Sequence, residues 1–182
     1  ASFMMKIPTV VSLAAGEFVG IEKLRYGSQR SRVRSWLVYH ALKYASHIVA
    51  PSEAITQLAM SYLDYHHLPS TERISTVPLG VDIDHFRLPE HSLRPRHFLH
   101  VGNLVPIKRQ DKLLHLMAKM PSTTLDIVGT GPLDSYLRKL TRNLKLEDRV
   151  TFHGELPYSE MPNIYQSARW LLVTSQYEVY GM

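Results

Sequence analysis

Three short segments of the sequence contain residue types that bind phosphates and sugars. They are VGNLVPIK (101–108), VGTGP (128–132) and SQYEVYGM (175–182). Glycine lets a backbone approach a ligand closely, a lysine beside a helix start can neutralise a phosphate, and a carboxylate can hold a sugar hydroxyl. The three segments together predict a site for a phosphorylated, hydroxyl-rich ligand.

Each segment taken alone also has an ordinary structural explanation. The first can be a plain turn with a surface lysine, and Glu178 can cap a following helix. The second is not a dinucleotide fingerprint, because Asp134 stands where GxGxxG needs its third glycine. A Rossmann oxidoreductase is therefore disfavoured, and without a following GK[ST] the segment is not a P-loop either.

Alternating strand and helix patterns place all three segments at one edge of a sheet. Apolar runs predict strands over 97–102, 124–129 and 149–154 and a buried strand over 169–174. Helical spacing predicts helices over 109–119, 132–144 and 158–167. Such alternation is typical of parallel sheets, in which ligands bind beyond the carboxyl ends of the strands. Each of the three segments follows a strand, so we expect them to converge.

The first half of the chain has the same alternation. Strands are predicted over 8–13, 47–50 and 73–78, and helices over 29–45 and 53–66, the second capped by Ser52. Helical spacing in the first of these helices is shown by Val33, Trp36, Leu37, His40, Ala41, Tyr44 and Ala45. The expected fold is α/β, with two Rossmann-like lobes of parallel sheet, both incomplete. We assign residues 1–84 to the first lobe, 85–96 to a linker and 97–182 to the second lobe.

Composition limits the possible partners. The chain has 182 residues, no cysteine and a net charge of +5, so it has no thiolate nucleophile and no disulfide. It contains no apolar run of about 20 residues, no signal peptide, and an N-terminal Ala that suggests an incomplete or processed chain. Basic residues concentrate over 23–34, which is either a surface for phosphates or anionic lipid or a solvated face. Nucleic acid is not expected, because interleaved aromatic residues are absent.

The sequence resembles a retaining nucleotide-sugar glycosyltransferase of the GT-B fold, in glycosyltransferase family 4. The resemblance is carried by VPLGVD (77–82), HVGNLVPIK (100–108), IVGTGP (127–132), VTFHGEL (150–156) and TSQYEVYGM (174–182), with weaker support from SLAAGEF (12–18), YGSQR (26–30) and VAPS (49–52). It implies that residues 1–84 are the C-terminal part of the acceptor-binding lobe. Residues 97–182 are then the N-terminal part of the nucleotide-sugar-binding lobe.

The resemblance implies roles for individual residues. Lys108 would stabilise the leaving diphosphate and Glu178 would hold the donor sugar, as the catalytic pair. Asn103 stands where many members carry an arginine, and Arg109 is a candidate to replace that charge. The second glutamate of the family signature would fall beyond the last residue, so we expect this fragment alone to be inactive. The implied substrate-binding residues are Gly102, Asn103, Arg109, Gly129, Gly131, Glu155, Leu156, Ser175, Gly181 and Met182.

The resemblance also implies a reaction without metal or cofactor, with a nucleotide-diphosphate sugar as donor and a glycan, lipid or small molecule as acceptor. A cytoplasmic location is expected, with peripheral contact to the inner face of the plasma membrane through residues 23–34. A non-catalytic nucleotide-sugar-binding protein and a GT-B epimerase or phosphorylase stay open as alternatives. Asp82 and Asp84 resemble a metal-binding DxD, but an Asp after VPLG more often caps a turn. Glu17 can contact an acceptor or cap a turn.

Overall fold

The computed structural model describes residues 7–14, 16–69, 72–87 and 97–178. The chain divides into two compact units, Ala1–Gly80 with Glu178–Met182, and Val81–Tyr177. Residues 88–96 of the predicted linker lie outside the described residues. Each unit has its own parallel sheet and its own hydrophobic core.

The described part of the first unit has a three-stranded parallel sheet and two connecting α-helices. Its strands lie in the order β1 (Val10–Ser12), β2 (His47–Ala50) and β3 (Ile74–Thr76). Helix α1 (Arg32–Tyr44) joins β1 to β2, and α2 (Glu53–Tyr65) joins β2 to β3. The Ser52 hydroxyl accepts a hydrogen bond from the Ile55 N–H, which confirms the predicted cap of α2.

Helix α1 forms as its spacing predicts, but it buries a different side. Val33, Trp36 and Leu37 are between 54% and 68% exposed, whereas Leu42 is only 1% exposed. The contacts with the core are made by Val38 and Leu42 of α1 and by Ala45, which follows the helix and belongs to the predicted spacing. Since α1 carries two apolar stripes, its periodicity alone does not reveal which one meets the sheet.

In its described residues, the second unit has a four-stranded parallel sheet and three α-helices. In chain order its elements are β4 (His97–Val101), α3 (Gln110–Ala118), β5 (Thr124–Val128), α4 (Asp134–Asn143), β6 (Val150–Gly154), α5 (Met161–Ser167) and β7 (Trp170–Leu171). Leu113, Leu125, Ile127 and Leu137 lie in its core. The strands predicted over 97–102, 124–129 and 149–154 are confirmed to within one residue at each end.

The strand order of this sheet is β6-β5-β4-β7, so the chain reverses direction across the sheet at β4. From β4 it runs outward to β5 and β6, then crosses back to place β7 on the other side of β4. A crevice opens at the carboxyl ends of the strands where such a reversal occurs, and ligands of open α/β sheets bind there. The turns after β4 and β7 border this switch point.

Strand β7 is shorter and more exposed than the sequence predicts. The prediction is a buried strand over 169–174, but the structure has only Trp170 and Leu171 in the strand, and both side chains are exposed. The difference arises because β7 pairs with β4 alone and is the edge of the described sheet. A hydrogen bond from the Leu172 N–H to the Leu99 carbonyl still continues the pairing.

Candidate functional site at the switch point

The two glycine turns predicted to border the ligand lie against each other. The Gly102 N–H donates to the Val128 carbonyl and the Leu104 N–H to the Thr130 carbonyl, each at 2.9 Å. A Cβ at Gly129 would overlap the carbonyl oxygen of Gly102, and one at Gly131 would lie 2.6 Å from the Leu104 oxygen. Glycine is therefore required at 129 and 131 by the contact between the turns.

The start of the third segment, together with the preceding Thr174, is hydrogen-bonded to the first segment. The Thr174 hydroxyl donates to the Lys108 carbonyl, and the Gln176 N–H donates to the Ile107 carbonyl, both at 2.8 Å. Lys108 ends a short 3-10 helix, Pro106–Lys108, and its Cε would be 3.7 Å from a Cβ placed at Gly102. Ser175 lies between the two bonded residues and is half-buried. The structure thus brings the first two segments and residues 174–176 to one edge of the second unit's sheet.

A buried pair of polar side chains supports this edge, and sequence reasoning missed it. His100 on β4 and Gln110 at the start of α3 are 1% and 0% exposed. The Gln110 amide nitrogen donates to the Asn103 carbonyl at 3.0 Å and lies 3.2 Å from His100 Nε2. His100 Nδ1 is 2.8 Å from the Leu172 carbonyl. The feature of the sequence that could have indicated this pair is a histidine inside the apolar run HFLHVG.

These contacts determine the protonation of His100. Because the Gln110 nitrogen is a donor, His100 Nε2 must accept from it, and Nδ1 must carry the proton donated to Leu172. Burial lowers the pKa of the His100 imidazole and the charge of Lys108 lowers it further, while the bond to Leu172 acts in the opposite direction. The ring is therefore neutral at pH 7.

Arg109 is engaged by its own neighbours. Its guanidinium makes two hydrogen bonds to the Asp111 carboxylate, at 3.0 and 2.9 Å, and lies 3.5 Å from the Gln176 side-chain oxygen. The bonds from Arg109 hold the pKa of the Asp111 carboxyl below its usual range. Much of the Arg109 charge is therefore neutralised locally, which weakens its candidacy as a replacement for an arginine at position 103.

The remaining predicted site residues differ in how exposed they are and in how they connect to the glycine turns. Asn103 is exposed, and Leu156 is half-buried beside exposed Glu155. The turn before Glu155 reaches the glycine turns, since the Gly129 N–H donates to the Gly154 carbonyl at 2.7 Å. Glu178 is exposed and belongs to the first unit. Gly181 and Met182 lie outside the described residues.

Two acidic side chains outside this edge cap turns. Asp82 Oδ1 accepts from the backbone N–H groups of Asp84 and His85, each at 3.0 Å, which confirms the turn-capping interpretation. Glu17 accepts from the Ala14 N–H at 3.1 Å. In the described ranges, no group of three or more His, Cys, Asp or Glu side chains is arranged to hold a metal ion.

The basic segment has one ion pair and several exposed cations. Arg30 pairs with Glu22 at 3.2 Å, and Lys23, Arg25, Arg32 and Arg34 are exposed. Within the part of the chain that the structure describes, none of the helices is long and apolar enough to cross a membrane.

Comparison with known proteins identifies the family to which this chain belongs. The sequence profile of the family described as "Glycosyl transferases group 1" matches residues 83–182, more than half of the chain. The chain therefore belongs to the glycosyl transferases group 1 family, and its two parallel sheets are parts of a GT-B fold.

Characterised relatives share parts of the sequence. A D-inositol 3-phosphate glycosyltransferase from Mycolicibacterium smegmatis is 30% identical over 142 residues, covering 70% of this chain and 32% of the relative. A GDP-mannose-dependent alpha-(1-6)-phosphatidylinositol monomannoside mannosyltransferase from Mycobacterium tuberculosis is 35% identical over 100 residues, covering 47% of this chain and 26% of the relative. The chain thus spans about a third or less of the curated relatives it matches.

Solved structures show the same fold. Anabaena HepE in complex with UDP-glucose superimposes with a TM-score of 0.77 at 20% identity, covering 98% of this chain and 50% of that one. The pneumococcal O-GlcNAc transferase GtfA, in complex with UDP and GlcNAc, superimposes with a TM-score of 0.71 at 18% identity, covering 96% and 34%.

Proposed function

We propose that the second unit binds a nucleotide-diphosphate sugar at its switch point. The observation that carries this proposal is the convergence of the two glycine turns with the segment after β7, beside Lys108. Backbone groups and a cation at the carboxyl ends of parallel strands suit a diphosphate. HepE, which has a similar fold, is in complex with UDP-glucose.

We propose further that the whole protein transfers the sugar to a glycan, lipid-linked or small-molecule acceptor with retention of configuration. Lys108 would stabilise the negative charge that develops on the leaving diphosphate. Glu178 would hold the donor sugar, and the backbones of Gly102, Gly129 and Gly131 would border the nucleotide. No metal or other cofactor is needed in this proposal, since Lys108 and backbone dipoles supply the positive potential.

Substrate contacts are also proposed for residues around these turns. Ser175 lies between two residues bonded to the Pro106–Lys108 helix, and Leu156 and Glu155 follow the turn bonded to Gly129. Asn103 is exposed at the end of β4, where a ligand can reach it. Arg109 is also proposed as a binding residue, although its guanidinium is paired with the Asp111 carboxylate.

For a lipid-linked acceptor, we propose peripheral contact with the cytoplasmic face of the membrane through residues 23–34. The support is the set of exposed cations in that segment, which suits anionic lipid. Sedimentation with phosphatidylglycerol vesicles should be lost when Arg32 and Arg34 are changed to Glu. Equal sedimentation of this variant would remove the proposal.

The donor proposal is tested by calorimetric titration of this chain with UDP-, GDP- and ADP-sugars. We expect one of the three to bind, and Lys108→Ala to weaken its binding about tenfold, the size expected for one charged hydrogen bond. Lys112→Ala, which removes an exposed lysine of α3, is the matched control and should change binding less than about twofold. Absence of binding, or equal losses in both variants, would contradict the proposal.

The role of Glu178 needs the full-length protein. Glu178→Ala should lower the rate of sugar transfer measured with the donor identified above, because the donor sugar loses a charged hydrogen-bond acceptor. An unchanged rate would remove this role from Glu178 and leave the donor site standing.

A further inference from the structure

His100 and Gln110 connect three backbone segments of the switch point. His100 belongs to β4 and reaches the Leu172 carbonyl, just after β7. Gln110 begins α3 and reaches the Asn103 carbonyl, just after β4. The two side chains also bond each other, at 3.2 Å. We refer to His100 and Gln110 together as the buried clamp.

Stability alone would not favour His100 and Gln110 over apolar residues at these two buried positions. Gln110 Oε1 is buried without a hydrogen-bond partner among the described residues, so its desolvation is not compensated. His100 is buried and its pKa is lowered, so its ring must stay neutral to be tolerated. Two leucines would fill a similar volume with no unpaired acceptor, and such replacements are often neutral or stabilising.

The bonds of the clamp explain why polar residues are present. They join the turn that follows β4 to the segment that follows β7, across the two strands where the sheet order reverses. Thr174 and Lys108 make a second connection between the same two segments. Displacement of a binding group by about 1 Å can reduce the efficiency of a site strongly.

We propose that His100 and Gln110 are positioning residues, which fix the distance between the Asn103–Lys108 turn and residues 172–176 and so shape the diphosphate site. The proposal rests on the proposed function, because it concerns the same site. Both side chains are buried, so they act through the backbone carbonyls they hold and not by touching the ligand.

The clamp requires a neutral imidazole. Protonation would place an N–H at Nε2 against the N–H of the Gln110 amide, and that contact would be lost. Lys108, from the adjoining 3-10 helix, is the charged group that acts on His100 and opposes this protonation. We therefore expect acidification to weaken ligand binding through His100.

The test is a calorimetric titration of this chain with inorganic pyrophosphate, alongside thermal unfolding. The double variant His100→Leu with Gln110→Leu should unfold at the wild-type temperature or above it, yet bind pyrophosphate about tenfold more weakly. The control is His97→Asn, which changes a hydrogen-bonded histidine at the other end of β4. It should leave pyrophosphate binding within about twofold of wild type.

The outcomes separate this inference from the function it rests on. If the wild type binds pyrophosphate and the double variant binds it equally well, the positioning role is wrong and the diphosphate site stands. If the wild type binds no pyrophosphate, both are contradicted. A loss of affinity in the double variant with unchanged or raised thermal stability supports the positioning role, because a merely structural pair would change stability instead.

A second variant keeps the test decisive if the double variant does not fold. His100→Asn retains an N–H directed at Leu172 but cannot take up a proton at this position. Because the shorter Asn side chain cannot reach Gln110, this variant should bind pyrophosphate more weakly than the wild type at neutral pH. The affinity that it keeps should fall less than that of the wild type when the pH is lowered through the pKa of His100, which lies below the usual imidazole range. Equal affinity of the variant and the wild type at neutral pH would overturn the positioning role of His100.

Discussion

The backbone of Gly129 has a conformation and a neighbour that both exclude a side chain. Its φ is +129°, which L-residues rarely adopt, and the carbonyl oxygen of Gly102 occupies the position of a Cβ. Gly129→Ala should therefore lower the free energy of unfolding by about 2–4 kcal/mol, through strain and displacement of the turn. Urea unfolding of the second unit measures this change.

Two other glycines serve as controls for that substitution. A Cβ at Gly154 would meet no atom within 4 Å, although its φ is +72°. Gly154→Ala should cost less than Gly129→Ala, about 1 kcal/mol from strain alone. Gly80 has open space and no positive φ, so Gly80→Ala should change stability by under about 1 kcal/mol. Equal costs at all three positions would show that the contact between the turns is unimportant.

At the scale of single residues, the sequence predicts the glycine turns and Lys108 but not what supports them. Glycines after a strand and a lysine before a helix are local patterns, visible in order along the chain. The bonds of His100 to Leu172 and of Gln110 to Asn103 join parts of the chain that only the fold brings together. Arg109 likewise looks available in sequence, and its pairing with Asp111 appears only in the structure.

At the scale of elements, helix α1 gives a direct test of which stripe is buried. Leu42→Ala removes a side chain that is 1% exposed and should cost about 2–5 kcal/mol of unfolding free energy. Leu37→Ala removes the same atoms at a 54% exposed position and should change stability by less than about 0.5–1 kcal/mol. Urea unfolding compares them, and a larger cost for Leu37→Ala would contradict the described packing of α1.

Element positions follow closely from periodicity, but element neighbours do not. The strands over 97–102, 124–129 and 149–154 are predicted from apolar runs, and each exists. The order β6-β5-β4-β7 is not a local property, so no pattern in the sequence indicates it. Strand β7 has one partner among the described residues and is shorter and more exposed than its apolar run predicts.

At the scale of the whole molecule, the chain contains two units with separate cores. Family membership is carried by residues 83–182, which lie almost wholly in the second unit. The proposed donor site, apart from Glu178 and residues 181–182, is also built from that unit. The resemblance therefore predicts the second unit's chemistry more completely than that of the first.

The central claim is that a nucleotide-diphosphate sugar binds at the switch point of the second unit. The most direct measurement is the change in backbone amide NMR signals of this chain on titration with the nucleotide sugar that binds in calorimetry. The account predicts concentrated shifts at residues 102–109, 129–131 and 174–176, and little change in α1 or α2. Shifts centred elsewhere, with these turns unaffected, would contradict it.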